Sequence, residues 1–313
     1  MSLVKEFNKP KVAILGANGQ LGQHLLSHAS ANGSESIYEV KGFDLPEFDL
    51  LDAALVASQL EAFKPQVVIN TAAYTAVDHA EQAESLAFEV NGRAVGVLAE
   101  VCERIKARLI HVSTDYVFSG QSSVPMRLTD HTSPINVYGA SKLAGEQQLM
   151  RYKDLDWTVV RTAWLYSNLG KNFLNTMLKL MAEKPQLRVV CDQVGSPTSA
   201  LDMADALWHL VEQPQVSGIQ HWTDAGVASW YDFAVAIQEE ATAAKLLMNR
   251  ALIEPVTTEH FPTPAKRPAY SVLDKSETIE ILGRAPRHWR RALRAVIAER
   301  VSAQIGSVNE TSH

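Results

Sequence analysis

The chain has 313 residues, of which 46% are hydrophobic and 20% charged, and its formal net charge at pH 7 is −6. A chain of this length can bury a substantial core and forms one large domain or two closely joined ones. The negative charge argues against nucleic acid as the main partner, because phosphate binding requires a basic face. The N-terminal residues contain no apolar run long enough for a signal peptide or a membrane span. The sequence therefore predicts a cytoplasmic protein with no membrane partner.

The cysteines and histidines show no spacing typical of a metal site. Cys102 and Cys191 lie in apolar stretches without a C-x-x-C pattern, which favours buried thiols over a disulfide in a reducing compartment. No His/Cys/Asp cluster has metal-ligand spacing, so the spacing predicts no structural metal.

The first predicted element is the strand KVAIL at 11–15, followed by the glycine-rich turn GANGQLG and a helical pattern. A strand, glycine turn and helix in this order set backbone N–H groups and a helix N-terminus against a pyrophosphate. A simple βα turn that is rich in glycine is the alternative, and the context on both sides favours dinucleotide binding. The candidate cofactor-binding residues here are Gly16, Asn18, Gly19, Gln20, Leu21 and Gly22.

A second strand, predicted at about 36–42, ends at Asp44. This residue lies at the distance downstream where an acidic side chain accepts the adenosine ribose 2′-OH. A carboxylate there repels a 2′-phosphate and favours NADH over NADPH, although Lys41 weakens this preference. The alternative is that Asp44 only caps a turn.

Strands and helices then alternate, which predicts a parallel sheet covered on both faces. The pattern predicts a helix ending near Phe63, a strand at 66–70, a helix at about 84–106 and a strand at 107–112. The segment after the strand at 66–70 begins at the sheet edge where such folds bind ligands. Its small residues would let a flat cofactor lie against the backbone, so the second group of candidates is Thr71, Ala72, Ala73 and Tyr74.

Hydroxyl and amine groups follow at the same edge. Thr114 and Tyr116 come just after a strand, where a hydroxyl could bind a substrate carbonyl, although such a pair is often a turn cap. Tyr138 and Lys142 lie four residues apart on one predicted helix face, and an ammonium beside a phenol would lower the phenol pKa. His111 lies within an apolar strand and is interpreted as a packed residue rather than a base.

The second half of the chain predicts a smaller unit. It has a strand at 157–166, further helices and strands, and a polar loop at 192–200 that would hold a ligand through Asp192 and Gln193. The last helix has a buried stripe, and four other aromatic or histidine residues are interpreted as core or flank. The stripe is Trp289, Leu293, Val296 and Ile297, and the others are Trp208, His209, His221 and Trp230. We predict a Rossmann-type doubly wound parallel sheet over 1–165, with strands near 187–191 and 218–222 as candidates to return to it, and a substrate domain mainly over 166–313.

Several motifs together resemble the extended short-chain dehydrogenase/reductase superfamily and, within it, the dTDP-4-dehydrorhamnose reductase family. They are GANGQLG, NTAAYTAVDHAE, STDYVF, PINVYGASKLAGE, RTAWLY, DQVGSPT, SWYDFA and PTPAKRPAYSVLD. The resemblance covers about residues 11–300. The N-terminal motifs are shared by the whole superfamily, whereas NTAAYTAVDHAE, STDYVF, DQVGSPT and the PTPAKRP stretch are more specific to this family.

The resemblance implies a reductase that uses NADPH or NADH, with Thr114, Tyr138 and Lys142 as the catalytic set and Tyr138 as the proton donor. It implies that Tyr116 and Trp164 contact the sugar of a dTDP-sugar substrate. It also implies that Asp49 and Leu50 meet the adenine ring. Some members are described with Mg²⁺, and assembly as a homodimer stays open.

Arg267 is a candidate for the substrate pyrophosphate, because a guanidinium binds phosphate oxygens bidentately. The alternative is that it only caps its loop.

Two other functions stay open. The first is a sugar-nucleotide epimerase or dehydratase with retained NAD⁺, whose threonine is commonly followed by acidic residues. Asp115 partly fits that pattern, but no glutamate follows it. The second is a non-catalytic regulatory subunit of methionine adenosyltransferase, which the complete set of Thr114, Tyr138, Lys142 and Trp164 disfavours.

Overall fold

The structure is a computed structural model that describes residues 9–31 and 37–310. The strands in chain order are β1 Lys11–Leu15, β2 Glu39–Phe43, β3 Val67–Asn70, β4 Arg108–Thr114, β5 Trp157–Thr162, β6 Leu165–Tyr166, β7 Gln186–Val190, β8 Val194–Gly195, β9 Thr198–Ser199, β10 Gly218–His221, β11 Ala228–Ser229 and β12 Leu252–Val256. The helices are α1 Gln20–Ala31, α2 Ala53–Phe63, α3 Val77–Ala80, α4 Glu84–Phe88, α5 Ala94–Ile105, α6 Val137–Leu149, α7 Phe173–Glu183, α8 Ala200–Val211, α9 Trp230–Ala243, α10 Ser276–Leu282 and α11 Trp289–Glu310.

The main sheet has six strands in the order β2-β1-β3-β4-β5-β10, and all neighbouring pairs are parallel. The predicted α/β class with a doubly wound parallel sheet is therefore confirmed. The chain moves from β1 to β2 on one side and then crosses to β3 on the other side of β1. Ligands of open α/β sheets bind beyond the carboxyl ends of the strands at such a switch point. Here that point lies between the ends of β1 and β3.

Apolar side chains cover both faces of this sheet. One face packs against α2 and α5, and the other against α1 and α8. Trp208 of α8 donates its indole N–H to the carbonyl of Leu25 in α1 at 3.1 Å. Helix α8 therefore packs on the main sheet although it comes late in the chain.

A second unit holds the short strands and a core of its own. In it β7 pairs with β12, β8 with β11 and β6 with β9, while α7, α9 and α11 surround a third apolar cluster. The stripe predicted on the last helix is confirmed, because Trp289, Leu293, Val296 and Ile297 are all buried.

Several predicted elements differ from the structure. The strand at 157–166 breaks after Thr162, because Trp164 adopts a left-handed φ of 48° and the chain then enters β6. The helix at about 84–106 contains a π-helical turn at Glu89–Arg93. The loop at 192–200 contains β8 and β9 and is largely buried.

The later strands also divide differently from the prediction. The strand at 218–221 joins the main sheet, whereas the one at 186–190 pairs with β12 in a separate sheet. The second strand of the chain is Glu39–Phe43, and residue 36 of the predicted range lies outside the described residues.

Cys102 and Cys191 are free thiols. Within the described part of the chain, no helix has the length and apolar character needed to cross a membrane.

Candidate active site

The glycine turn is shaped by two close backbone approaches. Gly16 has a φ of 76°, and an added Cβ would lie 2.7 Å from the Ala72 nitrogen. A Cβ on Gly22 would lie 2.2 Å from the Gly16 carbonyl oxygen. Gly19 is exposed between them, directly before α1. Gln20, Leu21 and Gly22 form the first helical turn, whose N–H groups have no intrahelical acceptor and favour an anion.

Asp44 fastens this turn to the end of β2. One carboxylate oxygen accepts the Asn18 backbone N–H at 2.7 Å, and the other accepts the Leu45 N–H at 2.8 Å. The Lys41 ammonium lies 4.7 Å from the centre of the Phe43 ring. The turn-capping alternative for Asp44 thus describes its contacts here, and its role toward a ribose stays a prediction. Nearby, Asp49 accepts the Leu51 N–H at 2.9 Å and Leu50 is buried.

The segment that begins at Thr71 is held on both sides. The Thr71 hydroxyl donates to the Leu15 carbonyl at 2.7 Å. Asn91 accepts the Tyr74 N–H at 2.8 Å and donates to the Ser141 hydroxyl at 2.9 Å. The π-helical turn therefore places an amide that ties this segment to α6. The candidates Ala72, Ala73 and Tyr74 accordingly lie between the glycine turn and the helix of Tyr138.

The Gln20 side chain makes contacts away from the turn. It donates to the Leu165 carbonyl at 3.3 Å and accepts from Asn172 at 3.1 Å. It thus joins the start of α1 to the second unit.

Thr114, Tyr116 and Tyr138 converge at the carboxyl end of β4. The Thr114 hydroxyl accepts the Tyr116 N–H at 3.1 Å and donates to the Asp115 carboxylate at 2.9 Å. The rings of Tyr116 and Tyr138 meet edge to face with centroids 5.9 Å apart. Gly139 allows this approach, because a Cβ there would lie 2.1 Å from the Tyr116 carbonyl.

The pKa of the Tyr138 phenol lies above its ordinary value. Burial and the Asp115 carboxylate together raise its pKa to about 12, against a hydrogen bond with Thr114 that lowers it, so the phenol is protonated at neutral pH. Lys142 is also buried, which lowers its pKa to about 8 against the opposing effect of Glu146. Its ammonium donates to the Val112 carbonyl at 2.8 Å. The expectation that Lys142 lowers the Tyr138 pKa is therefore not met in this conformation, because burial dominates.

A buried ion pair supports the same helix. Glu146, one turn beyond Lys142, accepts two hydrogen bonds from Arg161 of β5 at 3.0 and 2.7 Å. It also accepts the Ser113 hydroxyl at 2.5 Å. Both charged side chains are almost completely buried. These bonds fix the register of α6 against β4 and β5 and so the position of Lys142.

Asp115 is a buried carboxyl that the sequence analysis used only to weigh a rival function. Burial raises its pKa to about 7, partly opposed by hydrogen bonds from Ser271 and Thr114. One of its oxygens has no hydrogen-bond partner. The position next to Thr114 in STDYVF was the signal that could have marked it as a site residue.

An aromatic stack lies in the second unit. Trp164 stacks on Trp230 with ring centroids 3.5 Å apart. The Trp230 indole N–H donates to Gln193 at 3.2 Å, and Gln193 donates to the Thr258 hydroxyl at 3.0 Å. The Asp192 carboxylate accepts the Thr258 N–H at 2.9 Å. Trp230 is therefore more than a flank residue, and Asp192 and Gln193 join the loop to Thr258, which follows β12.

Arg267 is held by Asp78 rather than by its own loop alone. The two side chains form a bidentate pair at 3.0 and 2.8 Å, and Arg267 also donates to the Ala265 carbonyl at 3.2 Å. This pair joins the segment after β3 to the proline-rich connection. It raises the pKa of Arg267 against the effect of burial and lowers the pKa of Asp78.

Residues 9–31 and 37–310 contain no group of three metal-ligating side chains arranged to hold an ion.

A glycine turn at the switch point of a parallel sheet, with threonine, tyrosine and lysine at the same edge, defines a Rossmann-type reductase of the extended short-chain dehydrogenase/reductase class. A family model described as the RmlD substrate binding domain matches residues 10–302. A curated dTDP-4-dehydrorhamnose reductase from Aggregatibacter actinomycetemcomitans is 42% identical, with 92% of this chain and 98% of the relative covered.

Two solved structures agree with this match. A dTDP-4-dehydrorhamnose reductase from Clostridium acetobutylicum is 37% identical with a TM-score of 0.84, covering 92% of this chain and 98% of its own. One from Bacillus anthracis, in complex with NADP, is 34% identical with a TM-score of 0.85, covering 93% and 99%. The chain belongs to the RmlD substrate-binding-domain family.

Proposed function

We propose that the chain catalyses the NAD(P)H-dependent reduction of the C4 ketone of dTDP-4-dehydro-L-rhamnose to dTDP-L-rhamnose. The observation that carries this proposal is the position of Tyr138. It is a protonated phenol beside Thr114, at the sheet edge that also carries the glycine turn. Relatives named for this reaction cover nearly all of the chain.

The residues at the switch point fit a dinucleotide. The exposed Gly19 and the first turn of α1 would bind the pyrophosphate. Asp44, Asp49 and Leu50 lie where the adenosine half would extend. The segment from Thr71 to Tyr74 would support the inner ribose, and Lys142 would bind the ribose hydroxyls of the nicotinamide half.

Reduced nicotinamide, when bound, would supply a hydride to the ketone carbon. Tyr138 donates its phenolic proton to the O4 oxygen, so the carbonyl becomes a hydroxyl and the tyrosine a phenolate. Thr114 orients the carbonyl oxygen through its hydroxyl. General acid catalysis of this kind contributes about 10²–10⁴-fold in rate.

The second unit would bind the rest of the substrate. Trp164 and Tyr116 would contact the sugar, and Arg267 would bind the pyrophosphate while its position is kept by Asp78. Gln193 holds Trp230 behind Trp164, and Asp192 holds the loop that follows β7.

The cofactor preference is a separate proposal. The Asp44 carboxylate favours NADH, whereas the Bacillus anthracis relative is in complex with NADP. We propose that either reduced cofactor supports turnover.

The test is anaerobic incubation of the purified protein with dTDP-4-dehydro-L-rhamnose and NADH or NADPH, followed at about 340 nm, where reduced nicotinamide absorbs. We expect stoichiometric oxidation of the cofactor and formation of dTDP-L-rhamnose. Turnover by tightly bound NAD⁺ without external reductant would indicate the epimerase or dehydratase function. Co-purification with a synthetase and no reductase activity would indicate the regulatory function. The resemblance leaves open a Mg²⁺ requirement and assembly as a homodimer. Activity with added EDTA or Mg²⁺ tests the first, and sedimentation tests the second.

A further inference from the structure

Lys142 lies at the end of a row of buried polar contacts that begins on β3. The His111 Nε2 is 3.3 Å from the Lys142 Nζ, and the His111 Nδ1 is 3.0 Å from the Asn70 Nδ2. The Asn70 Oδ1 in turn accepts the backbone N–H of Ala72 at 3.1 Å. Asn70 and His111 are fully buried, so the row is shielded from solvent.

The Ala72 backbone fixes the direction of these bonds. A backbone N–H can only donate, so the Asn70 oxygen must face Ala72 and the Asn70 amide nitrogen must face His111. That nitrogen donates, which leaves the His111 Nδ1 as the acceptor. Burial lowers the pKa of His111 well below its usual value, and the Lys142 charge lowers it further, so the ring is neutral. A neutral ring with an unprotonated Nδ1 carries its hydrogen on Nε2, the atom that faces Lys142.

We propose that His111 is a positioning residue for Lys142, whose Nε2–H faces the amine and opposes its ammonium form. An ammonium has only donors, so the contact becomes a hydrogen bond only when the amine is neutral and offers a lone pair. The charged amine instead donates to the Val112 carbonyl at 2.8 Å. His111 would thus set the pH above which the Lys142 charge is lost.

Other ionisable groups around Lys142 also affect its charge. Glu146, one helical turn beyond it, favours the ammonium, but its carboxylate is also bound to Arg161 and Ser113. Tyr138 lies one turn before it and is protonated. None of these contacts involves the imidazole, so replacing His111 leaves them in place.

The first test uses the unaltered protein and does not depend on the proposed function. In ¹⁵N-histidine-labelled protein, with the resonance assigned by its loss in His111→Asn, we expect His111 as the neutral Nε2–H tautomer. The chain has ten histidines, so this subtraction is practical. A Nδ1–H tautomer, or a charged imidazolium at neutral pH, would overturn the proposal.

The second test rests on the proposed reductase activity. His111→Asn keeps an amide near the Nδ1 position, facing Asn70, and removes the donor that faces Lys142. We expect the basic limb of the kcat/KM pH profile to move up by about half to one pH unit, which is the size of one modest hydrogen bond. The dissociation constant of the cofactor should change by a smaller factor than the acid dissociation constant that the basic limb reports.

The control is Leu109→Val, which alters packing on the same buried face of β4 without touching Lys142. It should leave the basic limb where it is. A folded His111→Asn enzyme with an unmoved basic limb would reduce His111 to a packing residue. If that variant does not fold, His111→Gln takes its place in both the resonance assignment and the pH profile, and the tautomer of the wild-type protein still decides the proposal. A wild-type protein that lacks reductase activity contradicts the proposed function, whereas the tautomer separately decides the direction of the hydrogen bonds.

Discussion

Trp230 lies flat against Trp164, with ring centroids 3.5 Å apart and planes 5° from parallel. Trp164 has a backbone φ of 48°, a conformation that is costly for a bulky residue and often marks a functional site. Gly195 leaves room for the indole, because a Cβ there would lie 2.5 Å from the Trp164 ring. The stack therefore fixes the plane of the ring that we assign to the sugar.

Removing this support should weaken substrate binding. Trp230→Leu keeps an apolar side chain but loses the stack, which is worth about 0.5–1.5 kcal/mol for an aromatic pair. We expect the substrate KM to rise about 2–10-fold while the cofactor KM stays constant. Steady-state kinetics with each ligand varied in turn measures both.

Phe173→Leu is the matched control, because Phe173 packs against Trp230 with ring centroids 4.6 Å apart on the same core. It removes an aromatic contact of Trp230 but leaves the stack on Trp164. Equal rises in substrate KM for both variants would mean that the second unit responds only to lost packing.

Arg267 forms a bidentate pair with Asp78, so it has two candidate roles: binding the substrate pyrophosphate or only holding its loop. Arg267→Ala should raise the substrate KM well above any change in the cofactor KM, since the guanidinium is assigned to the substrate pyrophosphate. Arg267→Lys keeps the charge but loses the fork that binds two oxygens, so it should restore only part of the affinity. Equal effects on both KM values would instead assign Arg267 to holding the loop.

Asp115 makes a specific contribution to the pH dependence of stability. Its pKa is raised from 3.8 to about 7 in the folded protein, so the folded state binds this proton more tightly than the unfolded state. Stability from this group is therefore fully present below about pH 4 and is lost as the pH rises to about 7, amounting to about 4 kcal/mol.

Asp115→Asn removes this titration with nearly the same shape. Relative to wild type, the variant should gain free energy of unfolding between about pH 5 and about pH 8. Urea unfolding of both proteins at the two pH values measures the difference in free energy of unfolding. The other buried carboxyls contribute equally to both proteins and cancel from this difference. A constant difference across this range would show that Asp115 is ionised throughout.

Asp44 should control the choice of cofactor. Asp44→Asn removes the charge that repels a 2′-phosphate, so the ratio of kcat/KM for NADPH to that for NADH should increase several-fold. The amide oxygen can still accept the Asn18 N–H, which keeps the glycine turn bound to the end of β2, and only the Leu45 N–H loses its acceptor. An unchanged ratio would confine Asp44 to its turn-capping contacts.

The parallel sheet and its ligand edge were predictable because they depend on local patterns. Strand β1, the glycine turn and α1 follow one another within a single short segment, and β1 has the predicted bounds. The stripe on α11 was equally readable, since its period is that of a helix. The close backbone approaches at Gly16 and Gly22 are the ones that the glycine spacing implies.

Contacts between distant segments could not be predicted in the same way. The break at Trp164 depends on Trp230 and Gly195, which are distant in sequence. No local sequence pattern predicts a tryptophan with a left-handed backbone conformation. The contact between His111 and Lys142 requires neighbouring elements to bring an imidazole under a helix, so the strand pattern showed only burial. The raised pKa of Tyr138 follows from burial that only the folded chain defines.

Tyr138→Phe tests the central claim most directly, with turnover of dTDP-4-dehydro-L-rhamnose and the dissociation constant of NADPH measured on the same preparation. We expect turnover to fall by about 10²–10⁴-fold, the range of general acid catalysis, while NADPH affinity remains close to that of wild type. Turnover near the wild-type rate in a variant that binds NADPH normally would contradict the assignment of Tyr138 as the proton donor.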